Sequence, residues 1–257
     1  MKAVGESVAD PLTYYDVNVG GSISLLSPMS KAECNNIVFS SSATICGLPQ
    51  YLPYDEKHPT KPVNPYCHTK LMIENIINDW INVDGKRRGT ILRYFNPVGA
   101  HESGQIGEEP IGIPNNLMPY IAQVVIGRRD YLNIFGNDYN TSDGTGVRDY
   151  IHVVDLALAH ISVLNEKNLN RFEMLNIGGG QGTSVLDLIK SFEDVYGTKI
   201  KFKYLPRRDG DLAAFWVDSS LAFEKMNWRP ERNIKKFVKI LGVGIITTRL
   251  GMVIDII

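Results

Sequence analysis

The spacing of apolar residues constrains this chain more than any other property. Short β-branched runs alternate with longer stretches of helical period, the pattern of βαβ units built on a parallel sheet. Asn36-Ile37-Val38-Phe39 reads as a buried strand ending in Ser40-Ser41-Ser42, and Gly89-Thr90-Ile91-Leu92-Arg93-Tyr94-Phe95 as a second strand ending at Asn96-Pro97. Between them Asn64 can cap a helix and Pro65 can open it, while Tyr66 to Trp80 carries Leu71, Ile73, Ile76, Ile77 and Trp80 at helical spacing. Another helix is predicted from Asn116 to Gly127. Further on, Met174-Leu175-Asn176-Ile177 predicts a strand, Thr183 caps a helix through Val185, Leu188, Ile189, Phe192 and Val195, and Lys199 to Tyr204 predicts one more strand. The expected fold class is therefore α/β.

Charge and cysteine usage narrow the function classes. Lys and Arg number 27 against 28 Asp and Glu, a net charge of −1, which argues against a nucleic-acid footprint spread over the surface. Phosphate binding, if present, has to be local. Cys34, Cys46 and Cys67 are an odd count without CxxC spacing, so neither a disulfide framework nor a structural zinc site is expected, and a cytoplasmic setting follows. The amino terminus carries no apolar signal-peptide core. The apolar stretch from Phe237 to Ile257 is broken by Lys239, Arg249 and Asp255, leaving fewer than about 18 uninterrupted residues, so no membrane span is predicted.

The stretch Gly178-Gly179-Gly180-Gln181-Gly182, placed between a strand and a helix, invites comparison with a dinucleotide-binding turn. That turn needs the G-x-G-x-x-G spacing for backbone approach to a pyrophosphate, with an acid about 20 residues on for the ribose. Neither is present, and a tight strand-to-helix connection is the expected role.

The chemistry-bearing pattern lies on the first predicted helix. Tyr66 and Lys70 are four residues apart and project from one face. A free phenol, with a pKa of about 10, is a poor base at neutral pH, and a neighbouring ammonium favours its phenolate. Ser42, at the carboxyl end of a strand in a parallel-sheet pattern, sits where such folds collect ligand-binding groups, and its hydroxyl can bridge substrate and phenolate. The alternative is an ordinary amphipathic pair on a solvated helix face. Cys67 and His68 are adjacent on the same helix, point apart, and lack further ligands at sensible spacing, so no metal site is expected.

These segments, together with Lys2–Val8, Phe39–Thr44, Asn64–Tyr66, Arg93–Pro97, Ile113–Pro119, Phe135–Tyr139, Asp143–Val153 and Arg207–Asp211, resemble the UDP-glucose 4-epimerase family of extended short-chain dehydrogenase/reductases over about residues 1 to 230. The resemblance implies NAD as cofactor and UDP-glucose and UDP-galactose as substrates. It implies that Tyr66 takes the sugar 4-hydroxyl proton while hydride passes from C4 to the nicotinamide, that the 4-keto sugar turns, and that hydride returns to its other face. Ser42 would relay or steady the proton, and Lys70 would tune Tyr66 and bind the nicotinamide ribose. By the same resemblance Lys2, Asn18 and Phe95 contact NAD, whereas Asn96, Asn116, Leu117, Phe135, Arg148, Arg208 and Asp211 line the UDP-sugar site. Guanidinium forks at Arg148 and Arg208 suit a diphosphate. The bland alternative pairs them with Asp143, Asp149, Asp209 or Asp211. Phe215 falls where members of the family vary in bulk, and its ring predicts a preference for UDP-glucose and UDP-galactose over their N-acetyl forms.

The family begins with a strand, glycine-rich turn and helix that grip the NAD pyrophosphate, and no such segment precedes Lys2. The resemblance thus implies an incomplete Rossmann-type parallel sheet over residues 1–98 to which some later segments return, a UDP-sugar-binding α/β region over 99–230, and a divergent apolar tail over 231–257. It also implies an exposed sheet edge, poor solubility, weak or absent NAD binding and impaired activity for this chain by itself. The family's Ser-Ala-Thr-x-Tyr-Gly has Cys46 for its tyrosine, and Cys67-His68-Thr69 stands where Gly-Lys-Ser is usual. A homodimer through helices of the first region is expected. Two other readings stay open: a non-catalytic remnant that binds UDP-sugar or a full-length subunit, and a related nucleotide-sugar dehydratase or decarboxylase, for which Ala43-Thr44 supplies no carboxylate beside the serine.

Overall fold

A computed structural model describes residues 1–107, 116–208 and 210–240. The chain divides into two units, one formed by Met1–Phe95, Leu158–Ile177 and Val217–Arg229, the other by Asn96–Ala157, Gly178–Trp216 and Pro230–Ile257.

The first unit is built on three parallel strands in the order Asn36–Ser42, Arg88–Tyr94, Phe172–Ile177. Because side chains alternate along a strand, Ile37, Phe39, Gly89, Ile91, Phe172 and Met174 fall on one face, in register across the sheet. That face receives the helix Pro65–Asn82 through Ile73, Ile77 and Ile81, together with Leu26 and Met29 of the helix Gly21–Lys31. Each buried isoleucine contributes roughly 1.5–3 kcal/mol. Gly89 is required for this approach, since a Cβ there would lie 2.6 Å from Ile81 Cδ1 and 3.0 Å from Ile77 Cγ2. Two residues further along each strand the same face turns polar, to Ser41, Arg93 and Asn176. The Pro65–Asn82 helix starts as the sequence predicts, with the Asn64 side chain accepting from the Cys67 amide at 3.0 Å and Pro65 in its first turn.

Before the first strand lie helices Val4–Ala9 and Pro11–Tyr14, a π-helical turn Tyr15–Gly20 and the helix Gly21–Lys31. Among the described residues the Asn36–Ser42 strand has a partner on one side only, as expected of an edge. Val8, Leu12, Ile23 and Leu25 are exposed along the leading helices.

The second unit centres on Val147–His152. Asn96–Val98 and Ala214–Phe215 pair with it in parallel and Gly182–Ser184 antiparallel, while Leu132–Phe135 pairs separately with Phe202–Leu205. Val98, Ile121, Leu132, Ile134, Leu188, Phe192 and Phe237 form its core. Three predicted boundaries are corrected. The helix expected to run to Gly127 ends at Val125, and Gly127 takes a positive φ of 72° in the turn beyond it. Ser184, not Thr183, caps the helix Val185–Tyr196, accepting from the Asp187 amide at 2.9 Å, because residues 182–184 are held as a strand against Val147–Asp149. The strand expected from Lys199 starts at Phe202. The predicted tail enters as a helix at 234–240 with Phe237 and Val238 buried, and its remainder, 241–257, lies outside the described residues. No helix among the described residues is long and apolar enough to cross a membrane.

His152 is fully buried against Phe237, with ring centroids 5.2 Å apart, and its Nδ1 accepts from the Val154 amide at 3.1 Å. The second ring nitrogen then carries the proton and has no hydrogen-bond partner among the described residues. Burial pushes its pKa down from 6.5 to about 4, against the opposing pull of Asp155 and Glu102, with Arg232 and Lys236 adding to the fall. Because the unfolded chain binds this proton first, the contribution is full above about pH 6.5 and is lost as pH falls towards 4. Urea unfolding of wild-type and His152→Asn chains between pH 7 and 4.5 is expected to show a loss specific to wild type, about 3 kcal/mol at most.

Candidate active site

Three helix residues spaced by four meet three consecutive strand residues in the first unit. The Ser42 hydroxyl acts on the Tyr66 phenol, favouring its ionised form. Lys70 donates from Nζ to the Ser40 carbonyl at 2.9 Å and lies 4.9 Å from the Phe39 ring centroid. Glu74 accepts from the Ser41 hydroxyl at 2.5 Å. The geometry follows from a helix running against the strand direction with one face turned to the sheet: positions 66, 70 and 74 lie on that face, one turn apart.

Ser42 is steadied by its own turn, accepting from the Thr44 amide at 3.3 Å and sharing a 2.8 Å hydrogen bond with the Thr44 hydroxyl. Burial pushes the Tyr66 phenol up to about 12, and the Ser42 hydroxyl pulls the other way. The ammonium lies 5.9 Å from the Tyr66 ring centroid, and the side chain that draws the phenol pKa down against burial is Ser42. Burial draws the Lys70 pKa down and Glu74 opposes it. Cys67 is buried and His68 exposed, so the adjacent pair faces opposite ways.

The residues assigned to a dinucleotide are placed in the same unit. Asn18, on the π-helical turn, donates to the Thr69 hydroxyl at 3.1 Å and to the Met1 carbonyl at 3.2 Å, and Thr69 in turn donates to the Tyr66 carbonyl at 2.7 Å. Such turns inside helices are frequent at functional sites. Lys2 is exposed beside the tethered Met1. Phe95 is buried just past the strand whose Tyr94 is in register with Ser42. The fit to NAD rests on Lys70, a partly buried ammonium that uses one of its three hydrogens on Ser40 and leaves two without an acceptor among the described residues.

In the second unit two arginines share one carboxylate. Arg148 reaches Asp211 at 3.7 Å with its guanidinium 4.7 Å from the Phe215 ring centroid, and Arg208 donates to Asp211 at 2.8 Å with its own 4.9 Å from Phe135. The pairing alternative is therefore realised at Asp211. Asp143 is taken by Thr145 and Ser184, and Asp209 lies outside the described residues. Two cations against one anion still leave one net positive charge on a platform of two aromatic rings, an arrangement able to hold a further anion. Asn96 donates to the Asp149 carbonyl at 2.7 Å. Asn116 is exposed and Leu117 packs on the core of the unit; no contact among the described residues joins either to the arginine pair.

Sequence reasoning did not single out Glu74, Ser41, Arg93 or Tyr139. Glu74 stands four residues after Lys70, the same interval that identified Tyr66 and Lys70, and Arg93 is a charge inside an apolar strand run. Tyr139 buries its phenol oxygen without a hydrogen-bond partner among the described residues, in the field of Asp211, Arg148, Arg207 and Arg208. The glycine stretch is a tight connection as expected: the Gly179 and Gly180 amides donate to the Asp149 carboxylate at 2.6 and 3.1 Å. An internal acid thus occupies the amides a phosphate would need.

The family model described as GDP-mannose 4,6 dehydratase matches residues 1–241. The human UDP-glucose 4-epimerase is 55% identical over 230 residues, covering 89% of this chain and 66% of that protein. This chain therefore spans just under two thirds of the length of the mammalian relatives. Among solved structures, the UDP-glucose 4-epimerase of Stenotrophomonas maltophila with bound NAD and formylated UDP-arabinopyranose superposes with a TM-score of 0.94 at 44% identity, over 98% of this chain and 75% of the other. That of Bifidobacterium longum with NAD+ and UDP gives 0.91 at 45%, over the same shares.

Replacing Asp149 by Ala strands two amides of the glycine connection. Thermal unfolding is expected to show a loss of about 1–3 kcal/mol in all, carried mainly by the half-buried Gly179 amide, since Gly180 is exposed and its amide can turn to water.

Proposed function

We propose that this chain, which belongs to the UDP-glucose 4-epimerase family of extended short-chain dehydrogenase/reductases, acts on UDP-glucose and UDP-galactose and interconverts them with NAD. The observation that carries the reading is the Ser42–Tyr66–Lys70 arrangement, held on one rigid helix and the end of one strand. NAD, when bound, supplies the hydride acceptor and donor and a positively charged ring that favours a phenolate nearby. Lys2, Asn18, Phe95, Tyr66 and Lys70 hold it, Lys70 with its two remaining hydrogens.

Tyr66 removes the sugar 4-hydroxyl proton and later returns it, and Ser42 carries or steadies that proton between sugar and phenol. The diphosphate goes to Arg148 and Arg208, with Asn96, Asn116, Leu117, Phe135 and Asp211 as further contacts to the UDP-sugar. Phe215 is held by the stacked Arg148 guanidinium, which supports its role as a fixed wall against larger sugars. Free thiols at Cys34, Cys46 and Cys67 agree with a cytoplasmic setting. The exposed apolar residues Met72 on the tyrosine helix and Leu12, Ile23 and Leu25 on the leading helices support a homodimer through helices of the first unit.

Coupled assays of UDP-galactose formation from UDP-glucose, with NAD added, are expected to show Tyr66→Phe reduced by at least about 100-fold with its fold retained. Equal turnover by wild type and Tyr66→Phe overturns the assignment, and absence of both turnover and bound NAD favours a non-catalytic UDP-sugar binder. The same assay is expected to show little turnover of UDP-N-acetylglucosamine and a gain when Phe215 is replaced by Ala.

A further inference from the structure

Glu74 and Arg93 form the most completely buried ion pair among the described residues, each with under a tenth of its surface exposed. The pair is bidentate, with Arg93 Nη2 donating to Oε2 at 2.7 Å and Nε to Oε1 at 3.1 Å, and the Ser41 hydroxyl adds a third hydrogen bond to the carboxylate. Arg93 also donates to Met174 Sδ at 3.2 Å. Burying two charges is seldom a net gain in stability, since an apolar pair of similar shape is often as stable or more so. What such a pair supplies here is a position: a planar fork accepts a carboxylate only in one rotation and at one height.

We propose that Glu74, fixed by Arg93 and Ser41, is a positioning residue for Lys70 and Tyr66. It sets the rotation of their helix on the sheet and places a fixed negative charge one turn beyond the Lys70 ammonium. The inference deepens the epimerase reading given above and rests on it for the roles of Lys70 and Tyr66.

The three contacts stand or fall together. Glu74 to Ser41, Lys70 to the Ser40 carbonyl and Tyr66 to Ser42 span two helical turns and three strand residues. A slip of one residue along the helix turns the face by about 100° and breaks all three. The apolar contacts of Ile73, Ile77 and Ile81 are less directional and would accept a small rotation; the ion pair would not. The charge matters as well as the shape. The groups facing Lys70 are Tyr66 from its own helix, Phe39 and the Ser40 carbonyl from the adjacent strand, and Glu74; Arg93 beyond Glu74 and His160, bonded to the Ser40 hydroxyl, complete the surroundings. Of these Glu74 is the anion, and it opposes the loss of the Lys70 proton that burial favours.

The test is the titration of Lys70 itself, followed by NMR in chains carrying 13C at lysine Cε and assigned with Lys70→Arg. It needs neither substrate nor cofactor, so failure of the epimerase reading leaves the result interpretable. Glu74→Gln is expected to move the Lys70 midpoint down by half a pH unit or more, an approximately threefold change in the protonated-to-neutral ratio at a given pH. Glu74→Asp, which keeps the charge, is expected to restore most of that shift. Should Glu74→Gln not fold, the double variant Glu74→Gln with Arg93→Met removes both charges and is expected to fold with a midpoint lowered by a smaller step, since Glu74 is the nearer charge and the more distant Arg93 cation that opposed it is also gone. An unchanged Lys70 midpoint in a folded chain lacking the Glu74 charge overturns the proposal, as does an equal shift in Glu74→Asp and Glu74→Gln.

Discussion

The rotation of the Pro65–Asn82 helix about its own axis is the constraint on which the candidate site depends. Its lower turns are held by isoleucines against a sheet face of Ile37, Phe39 and Ile91, close enough that only glycine fits at position 89. Its upper turns are held by polar contacts, each to a different residue of Ser40-Ser41-Ser42. Apolar packing brings helix and sheet together without fixing the last few degrees, and directional bonds to charged groups supply that accuracy. The change from apolar to polar along one face coincides with the carboxyl ends of the strands, where parallel sheets collect their ligands.

The second unit solves a different problem with different means. Its candidate anion-binding groups are held by sharing: Asp211 bridges Arg148 and Arg208, and each guanidinium lies on a ring, Phe215 or Phe135. A single carboxylate between two guanidiniums keeps both oriented yet leaves a positive excess, so the groups are ordered before any diphosphate arrives. The same strand that carries Arg148 carries Asp149, whose carboxylate closes the glycine connection, and ends at His152, which abuts Phe237. One six-residue strand therefore carries a candidate anion-binding group, Arg148, and two stabilising groups, Asp149 and His152.

Much of the first unit was legible in the residues because its signals are local. Asn64 and Pro65 mark a helix start by hydrogen-bond and φ requirements that involve no distant residue, and the helix begins there. The Tyr66–Lys70 interval is likewise a helix property. The role of Glu74 obeys the same interval but gains meaning only beside Arg93, nineteen residues away on a strand. The misplaced cap at Thr183 has the same origin: Thr183 and Ser184 are equivalent as caps in sequence, and antiparallel pairing with Arg148 selects the later one.

The sequence by itself determined the βαβ pattern, the start of the tyrosine helix, the common face of Tyr66 and Lys70 and the family, since periodicity, capping and motif order are written in neighbouring residues. Only the tertiary structure decided that the Tyr66 phenol is buried where the Ser42 hydroxyl acts on it, that both arginines meet at Asp211, and that Glu74 is locked to Arg93. Each of those depends on where two separated segments come to lie within a few ångströms. Burial, which shifts the Tyr66 and His152 protons in opposite directions, likewise has no value until the chain has closed around them.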